Sequence, residues 1–211
     1  MSGREPIMQA LFLLLTSSIA STFTGTAASG SPVVTGISST TGLFVGLPVS
    51  SARTPNTATI LSVDSATQVT LSEPATSAGP NVLFTTGFRT VGRRLKLWTD
   101  VAAQPALFLR NASEDISPRA PRMPPRVEML CEAWVYSNAG AAPGAIPSAS
   151  LNYVLDAIMR VLEPDPIREV QTLGGLVHNC WIEGHIELHA GDLDGQAIAV
   201  IPIHILVPNP L

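Results

Sequence analysis

Imidazoles, a thiol and carboxylates crowd into one stretch near the C-terminal end of the chain: His178, Cys180, Glu183, His185, Glu187 and His189. Groups of these types hold transition metals and act as general acids and bases. Their spacing decides what they can do together. Val177 to His189 reads as a strand, on which alternate residues share a face. Glu183, His185, Glu187 and His189 then line one side, and Ile182, Ile186 and Leu188 the other. In-line side chains spread over about 20 Å, at roughly 3.3 Å per residue, do not converge on one ion. The pattern is that of a half-solvated strand, and neither a metal nor any other cofactor is expected.

Other catalytic signatures are missing from the sequence. It has no Gly-x-Ser-x-Gly elbow, no phosphate-cradling Gly-x-x-x-x-Gly-Lys and no His-Glu-x-x-His. Glu163 and Asp165 stand close together at a helix end, but no histidine accompanies them. The two cysteines, Cys131 and Cys180, alternate with strand residues and are expected to be reduced, buried small hydrophobes rather than nucleophiles. An enzyme is not expected.

Charge carries more information. Among 211 residues only 13% are charged, and the formal net charge is -4. This weighs against nucleic-acid binding as the main activity. The distribution is uneven. Residues 88–126 hold Arg89, Arg93, Arg94, Lys96, Arg110, Arg119, Arg122 and Arg126 against three acids, a net of +5, whereas residues 127–211 carry -8. Opposed blocks on one chain suit head-to-tail association, the basic surface of one copy meeting the acidic surface of the next. Asn111 to Pro125, with Pro118, Pro121, Pro124 and Pro125, reads as a long arm that must lie against something, and Met123 is its apolar contact. The eight basic residues and Met123 are the candidate interface.

The elements that must position these groups follow from periodicity. Ile7, Leu11, Leu14 and Leu15 predict a buried amphipathic helix, with Ser2-x-x-Glu5 spaced as a capping box and Pro6 in the first turn. Glu5, Pro6 and Gln9 interrupt what would otherwise resemble a signal-peptide core. The six-residue run Ala10 to Leu15 falls short of the about 20 residues a membrane span needs, so no membrane partner is expected. Between Thr24 and Gly87 the composition shifts to Ser, Thr, Gly and Ala, with Arg53, Asp64 and Glu73 as its only charges. Alternating runs at 32–37, 43–49, 59–63, 68–71 and 82–85 predict strands of a small all-β domain inserted at 24–87.

Residues 1–23 and 88–211 then form one α+β domain, a mainly antiparallel sheet with helices packed on it. Its strands are predicted at 89–98, 106–110, 126–136, 177–189 and 196–207. Its second helix carries the stripe Leu151, Val154, Leu155, Ile158 and Leu162, is capped by Ser148 or Ser150, and is ended by Pro164 and Pro166. Pro202 conflicts with an otherwise apolar central strand.

Several blocks in this order resemble a known family. They are Arg4-Glu5-Pro6-Ile7-Met8-Gln9-Ala10-Leu11, Phe88-Arg89-Thr90-Val91-x-Arg93-Arg94-Leu95, Gln104-Pro105-Ala106-Leu107-Phe108-Leu109, Leu151-Asn152-x-x-Leu155-Asp156-Ala157-Ile158, Thr172-Leu173-Gly174-Gly175-Leu176-Val177-His178-Asn179-Cys180-Trp181-Ile182-Glu183-Gly184 and Val200-Ile201-Pro202-Ile203-x-Ile205. Together they are similar to the tail terminator (tail completion) proteins of long-tailed bacteriophages. The resemblance implies a cofactor-free virion protein, assembled in the host cytoplasm, that forms a hexameric ring at the head-proximal end of the tail. Its partners would be further copies of itself, the tail tube protein and a head-completion or neck protein, with DNA passing near Arg93, Arg94 or Arg126. Within 24–87, Gly30-Ser31-Pro32-Val33-Val34-Thr35-Gly36-Ile37-Ser38-Ser39-Thr40-Thr41-Gly42-Leu43 and Thr59-Ile60-Leu61-Ser62-Val63-Asp64-Ser65-Ala66-Thr67-Gln68-Val69-Thr70-Leu71-Ser72 are similar to small β modules grafted onto phage virion proteins. A head-completion or minor tail protein of the neck, or a secreted β-rich adhesin or carbohydrate-binding protein, is the alternative.

Overall fold

Ile7, Met8, Leu11 and Leu15 fall on one side of helix α1 (Arg4–Ser17), and all four are buried. The computed structural model describes residues 3–55, 58–118, 123, 125–138, 146–193 and 195–208. Gly3 is the N-cap of α1 and no side chain caps it; Ser2, expected to open a capping box, lies outside the described residues. At the other end the hydroxyls of Thr16, Ser17 and Ser18 donate to the carbonyls of Leu13, Leu14 and Leu15, at 3.2, 2.9 and 2.6 Å. They satisfy acceptors that the ending helix leaves open.

The chain then enters a first sheet made of β1 (Ser21–Ala27), β2 (Val33–Thr35), β3 (Val49–Ser50), β4 (Ile60–Ser65), β5 (Gln68–Leu71) and β6 (Gly79–Thr86). Its order is β3-β6-β1-β2-β5-β4, with antiparallel neighbours throughout. Backbone bonds from Val49 to Ala58 and from Ile60 to Leu47, both 2.9 Å, join the two ends of that order, so the sheet curls closed and hides its edges. The alternation of β1 and β6 sends Phe23, Ala27, Val82 and Phe84 inward, where Phe23 and Phe84 stack at 5.0 Å. Gly25 has to be glycine, because a Cβ there would stand 2.6 Å from Val34 Cγ1.

Two expectations fail in this region. Strand β1, at the middle of the sheet, begins at Ser21, ahead of the composition break at Thr24 that suggested the start of the β module. Its Ser-Thr-Phe-Thr-Gly-Thr-Ala text alternates but follows the helix without a turn signal. Residues 43–49 form turns rather than a strand: Gly42 and Gly46 take φ of +83° and +85°, and Leu43 and Leu47 bond back to the carbonyls of Thr40 and Phe44. Of that run only Val49 belongs to a strand, while Pro48 makes an isolated bridge to Thr59.

The second sheet contains β7 (Thr90–Gly92), β8 (Ala106–Ser117), β9 (Arg126–Asn138), β10 (Asn179–Ile182), β11 (Glu187–Leu193) and β12 (Gln196–Val207). Its order is β10-β12-β9-β8-β7, and β11 shares with β10 one side of β12. All pairs are antiparallel except β7 with β8. Helix α2 (Pro147–Val161) buries Leu151, Val154, Leu155 and Ile158 against β9 and β12, and α1 packs beside it. Its N-cap is Ile146, not Ser148 or Ser150. The fold is α+β, mainly antiparallel sheet with helices packed on it.

Three strand limits differ from the sequence reading. The strand expected at 89–98 stops at Gly92, where a Cβ would stand 3.1 Å from the Phe108 ring. Beyond it Leu95, Trp98 and Val101 fold over Phe108, Tyr136 and Ile198 as a second small core. The arm expected from Asn111 begins later: β8 runs on to Ser117 in register with β9, past a bulge between Asn111 and Ser113, so that only residues 118–125 connect the two strands. The strand expected at 177–189 is two strands, broken around Gly184 at φ +103°. Pro202 faces the gap between them, where the ladder on that side of β12 is already interrupted, and Gly184 lies against its ring. Among the described residues no helix is long and apolar enough to cross a membrane.

Replacing Phe84 by Ala removes half of the aromatic stack inside the closed sheet. Urea denaturation should show a loss of about 3–5 kcal/mol, and Gly25→Val should destabilise through overpacking against Val34.

Candidate subunit interface

Pairing register divides the second sheet into two unlike faces. Leu107, Leu109, Val127, Met129, Cys131, Ala133, Val135, Ala199, Ile201, Ile203 and Ile205 form the helix-covered face and are all buried. On the opposite face stand Arg110, Arg126, Glu128, Leu130, Glu132, Trp134, Trp181, Pro202, His204 and Leu206. Residues 93–104 cover the end of that face at Phe108, Tyr136 and Ile198, and Trp134 packs against this cover. Among the described residues nothing covers the remainder, and its apolar groups are half-buried by their own neighbours.

Charges on the open face are laced together across the strands. Arg110 on β8 donates to Glu132 on β9 at 2.8 Å, and its guanidinium lies 5.8 Å from the centre of the Trp134 ring, whose indole N–H donates to the same carboxylate at 2.9 Å. The bond from Arg110 holds the Glu132 carboxyl below its usual range and raises Arg110 in turn. Further along β9, Arg126 pairs with Glu128 at 2.9 Å, and Glu128 meets Nδ1 of His204 on β12 at 2.8 Å. His204 stacks on Trp181 of β10 at 5.7 Å, and the Trp181 indole donates to Glu183 at 2.6 Å. No local pattern announces this network, because its members come from four strands that are spread from β8 to β12 in order.

Among the described residues, the side chains expected to form a basic interface are placed differently from one another. Arg89 turns inward and is half-buried, with Nη2 donating to the Ala58 carbonyl at 2.8 Å; burial lowers its pKa against an opposing pull from Glu73. Arg93 pairs with Glu5 of α1 and leaves its buried Nε without a partner. Arg110 and Arg126 are neutralised within the chain as described, and so is Arg4, by Glu114 at 2.8 Å. Pairing of Arg93 and Arg126 with acids makes them poorer phosphate contacts. Arg94 and Lys96 are exposed, in the segment that leaves β7. Met123 is 61% exposed, while Arg119 and Arg122 lie outside the described residues.

Edges complete the geometry. From Arg110 to Ser117 the outer side of β8 has no strand partner among the described residues, because β7 pairs only with Ala106 to Phe108. Ile116, 62% exposed, sits on this stretch. On the other side of the sheet β10 and β11 form the opposite edge, with Glu183 and Glu187 exposed.

The histidine and cysteine groups fall apart in space. His178 precedes β10, His185 lies in the turn and His189 on β11; among the described residues no three metal-ligating side chains stand together. Cys131 and Cys180 are buried and free, with β12 between their strands, and desolvation pushes both thiols up to about 12. The Cys131 thiol lies 3.3 Å from Met8 Sδ and helps seat α1 on the sheet. No protein-family model matches the chain, and comparison with characterised proteins finds no similar sequence.

With thiols so disfavoured as thiolates, an aromatic disulfide reagent at pH 8 should label neither cysteine in the native protein and both after unfolding. Glu132, lowered on folding, contributes stability above the unfolded carboxylate range, and that contribution disappears as pH falls through its folded value. Because the pair stays partly solvated on the Arg110 side, a double-mutant cycle on Arg110 and Glu132 should give a coupling of about 0.2–1 kcal/mol at pH 7 that fades in acid.

Proposed function

We propose that this chain is a structural subunit that joins copies of itself head to tail into a closed ring, a hexamer, and that the ring caps the tail tube of a long-tailed bacteriophage. The observation that carries this reading is the second sheet, which is closed on one face by two helices and, among the described residues, left open over most of the other face and at two dissimilar edges. The β8 edge is unlike the β10 and β11 edge, so a contact between them is heterologous. Such a contact repeats from copy to copy until the rotation closes. Strand addition would satisfy the free N–H and C=O groups of both edges. Arg94 and Lys96, next to the outermost strand on one side, and Glu183 and Glu187 on the other give the contact its direction.

Function then comes from shape rather than bond-making. One face of the ring would match the last ring of the tube, and the other would not, so a further tube ring finds no complementary surface and growth ends. That second face is left for a head-completion or neck protein. The order of the sequence blocks quoted above supports the assignment to the tail end. A neck protein built on the same ring is the neighbouring alternative.

Native mass spectrometry of the purified full-length protein should give a hexamer that weakens with rising salt, and negative staining should show annular particles. Arg94→Glu with Lys96→Glu should shift the protein toward monomer, and adding Glu183→Lys with Glu187→Lys should restore the ring. A folded protein that stays monomeric at low salt and forms no annular particle overturns the proposal.

A further inference from the structure

A second feature lies away from the sheet edges. Where the closed sheet meets the second sheet, Pro48, Val49 and Ser50 of the β3 region, Thr85 and Thr86 of β6, Gly87 to Arg89, Ala102 to Gln104 and Asn138 line an open cleft of about 640 Å³. That volume is within the range of small-molecule sites, and junctions between substructures are where such sites are commonly built.

The lining is chemically one-sided. Hydroxyls come from Ser50, Thr59, Thr85 and Thr86, amides from Gln104 and Asn138, and a single cation from Arg89. No carboxylate lines the cleft among the described residues. The parts are held in place from behind. Gln104 and Gln196 exchange two amide hydrogen bonds of 3.0 Å, Thr90 donates to the Ala103 carbonyl at 2.7 Å, and the Arg89 N–H donates to the Pro105 carbonyl at 2.9 Å. Arg89 spends one donor on the Ala58 carbonyl and makes no ion pair among the described residues, although a guanidinium carries five donors. A half-buried cation that feels Glu73 from outside the lining but makes no ion pair among the described residues, at the wall of a cleft rich in hydroxyl and amide groups, suits a ligand with one negative charge and several hydroxyls. A doubly charged phosphate would call for more than one cation or a nest of backbone donors.

We infer that this cleft binds a carboxylate-bearing sugar, with Arg89 pairing to the carboxylate and the Ser50, Thr59, Thr85 and Asn138 side chains meeting the ring hydroxyls. The site belongs to the junction of the two sheets and does not depend on ring formation, so its test stands apart from the oligomer measurements.

Saturation-transfer NMR and calorimetry on the full-length protein, with glucuronate, glucose and inorganic phosphate as probes, test it. Glucuronate should bind, and glucose should bind about tenfold or more weakly, as expected for loss of a charge-assisted pair. Phosphate should not compete. Arg89→Gln should reduce glucuronate binding to the level of glucose. Because Arg89 also ties down Ala58, Ala103→Trp provides the second variant: it fills the cleft from an exposed position and should abolish binding while leaving thermal unfolding unchanged. Absence of glucuronate binding at millimolar concentration, equal binding of glucose or competition by phosphate, or undiminished binding in Ala103→Trp would overturn the inference.

Discussion

Strand β12 is paired with β9 along its whole length, from Gln196 opposite Asn138 to Val207 opposite Val127. On its other side it is paired first with β11 and then with β10. Every other part of the second half of the molecule is placed by that register. Ile201, Ile203 and Ile205 are wholly buried beneath the helices, and a slip of one residue would send them to the open face and bring Pro202 and His204 under α1 and α2. The cost of burying His204 and of exposing three isoleucines fixes the register, and the register in turn fixes which charges meet.

The cross-strand pairs on the open face are a consequence of this arrangement. Arg110 meets Glu132 because they are directly opposed, and His204 stacks on Trp181 for the same reason. Such pairs, still partly solvated, contribute little stability individually. Their effect is to neutralise charge inside the chain and to hold Trp134 and Trp181 against the sheet. Arg94 and Lys96 beside one edge and Glu183 and Glu187 at the other are exposed and make no ion pair among the described residues, which is why the association proposed here runs edge to edge rather than through the basic segment as a whole.

The closed first sheet obeys a different constraint. A sheet this poor in charge and rich in Ser and Thr would be sticky along an open edge, and the bonds between residues 46–49 and 58–60 remove that edge. It is not isolated from the rest. Phe44 stacks on Tyr153 of α2 at 5.3 Å, the Thr86 hydroxyl donates to the Ile19 carbonyl, and Arg89 reaches across to Ala58. These contacts hold the two sheets close enough to leave a walled cleft between them.

Local periodicity in the sequence was enough to identify both helices, the mainly antiparallel α+β character, the burial of both cysteines and the strands at 59–63, 68–71 and 196–207, because each depends on residues near one another in order. It was not enough for strand limits at Gly92, Ser117 and Gly184. There the deciding contact is with Phe108, with β9 or with Pro202, none of which a local pattern contains. The candidate site divides the same way. Charge composition alone marked residues 88–126 as unusual, but whether an arginine there is free, paired or turned inward depends on what a distant strand sets opposite it. Only the tertiary structure decides that, since hydrogen-bond register between strands is chosen by the burial of whole faces and not by the charges that end up facing each other.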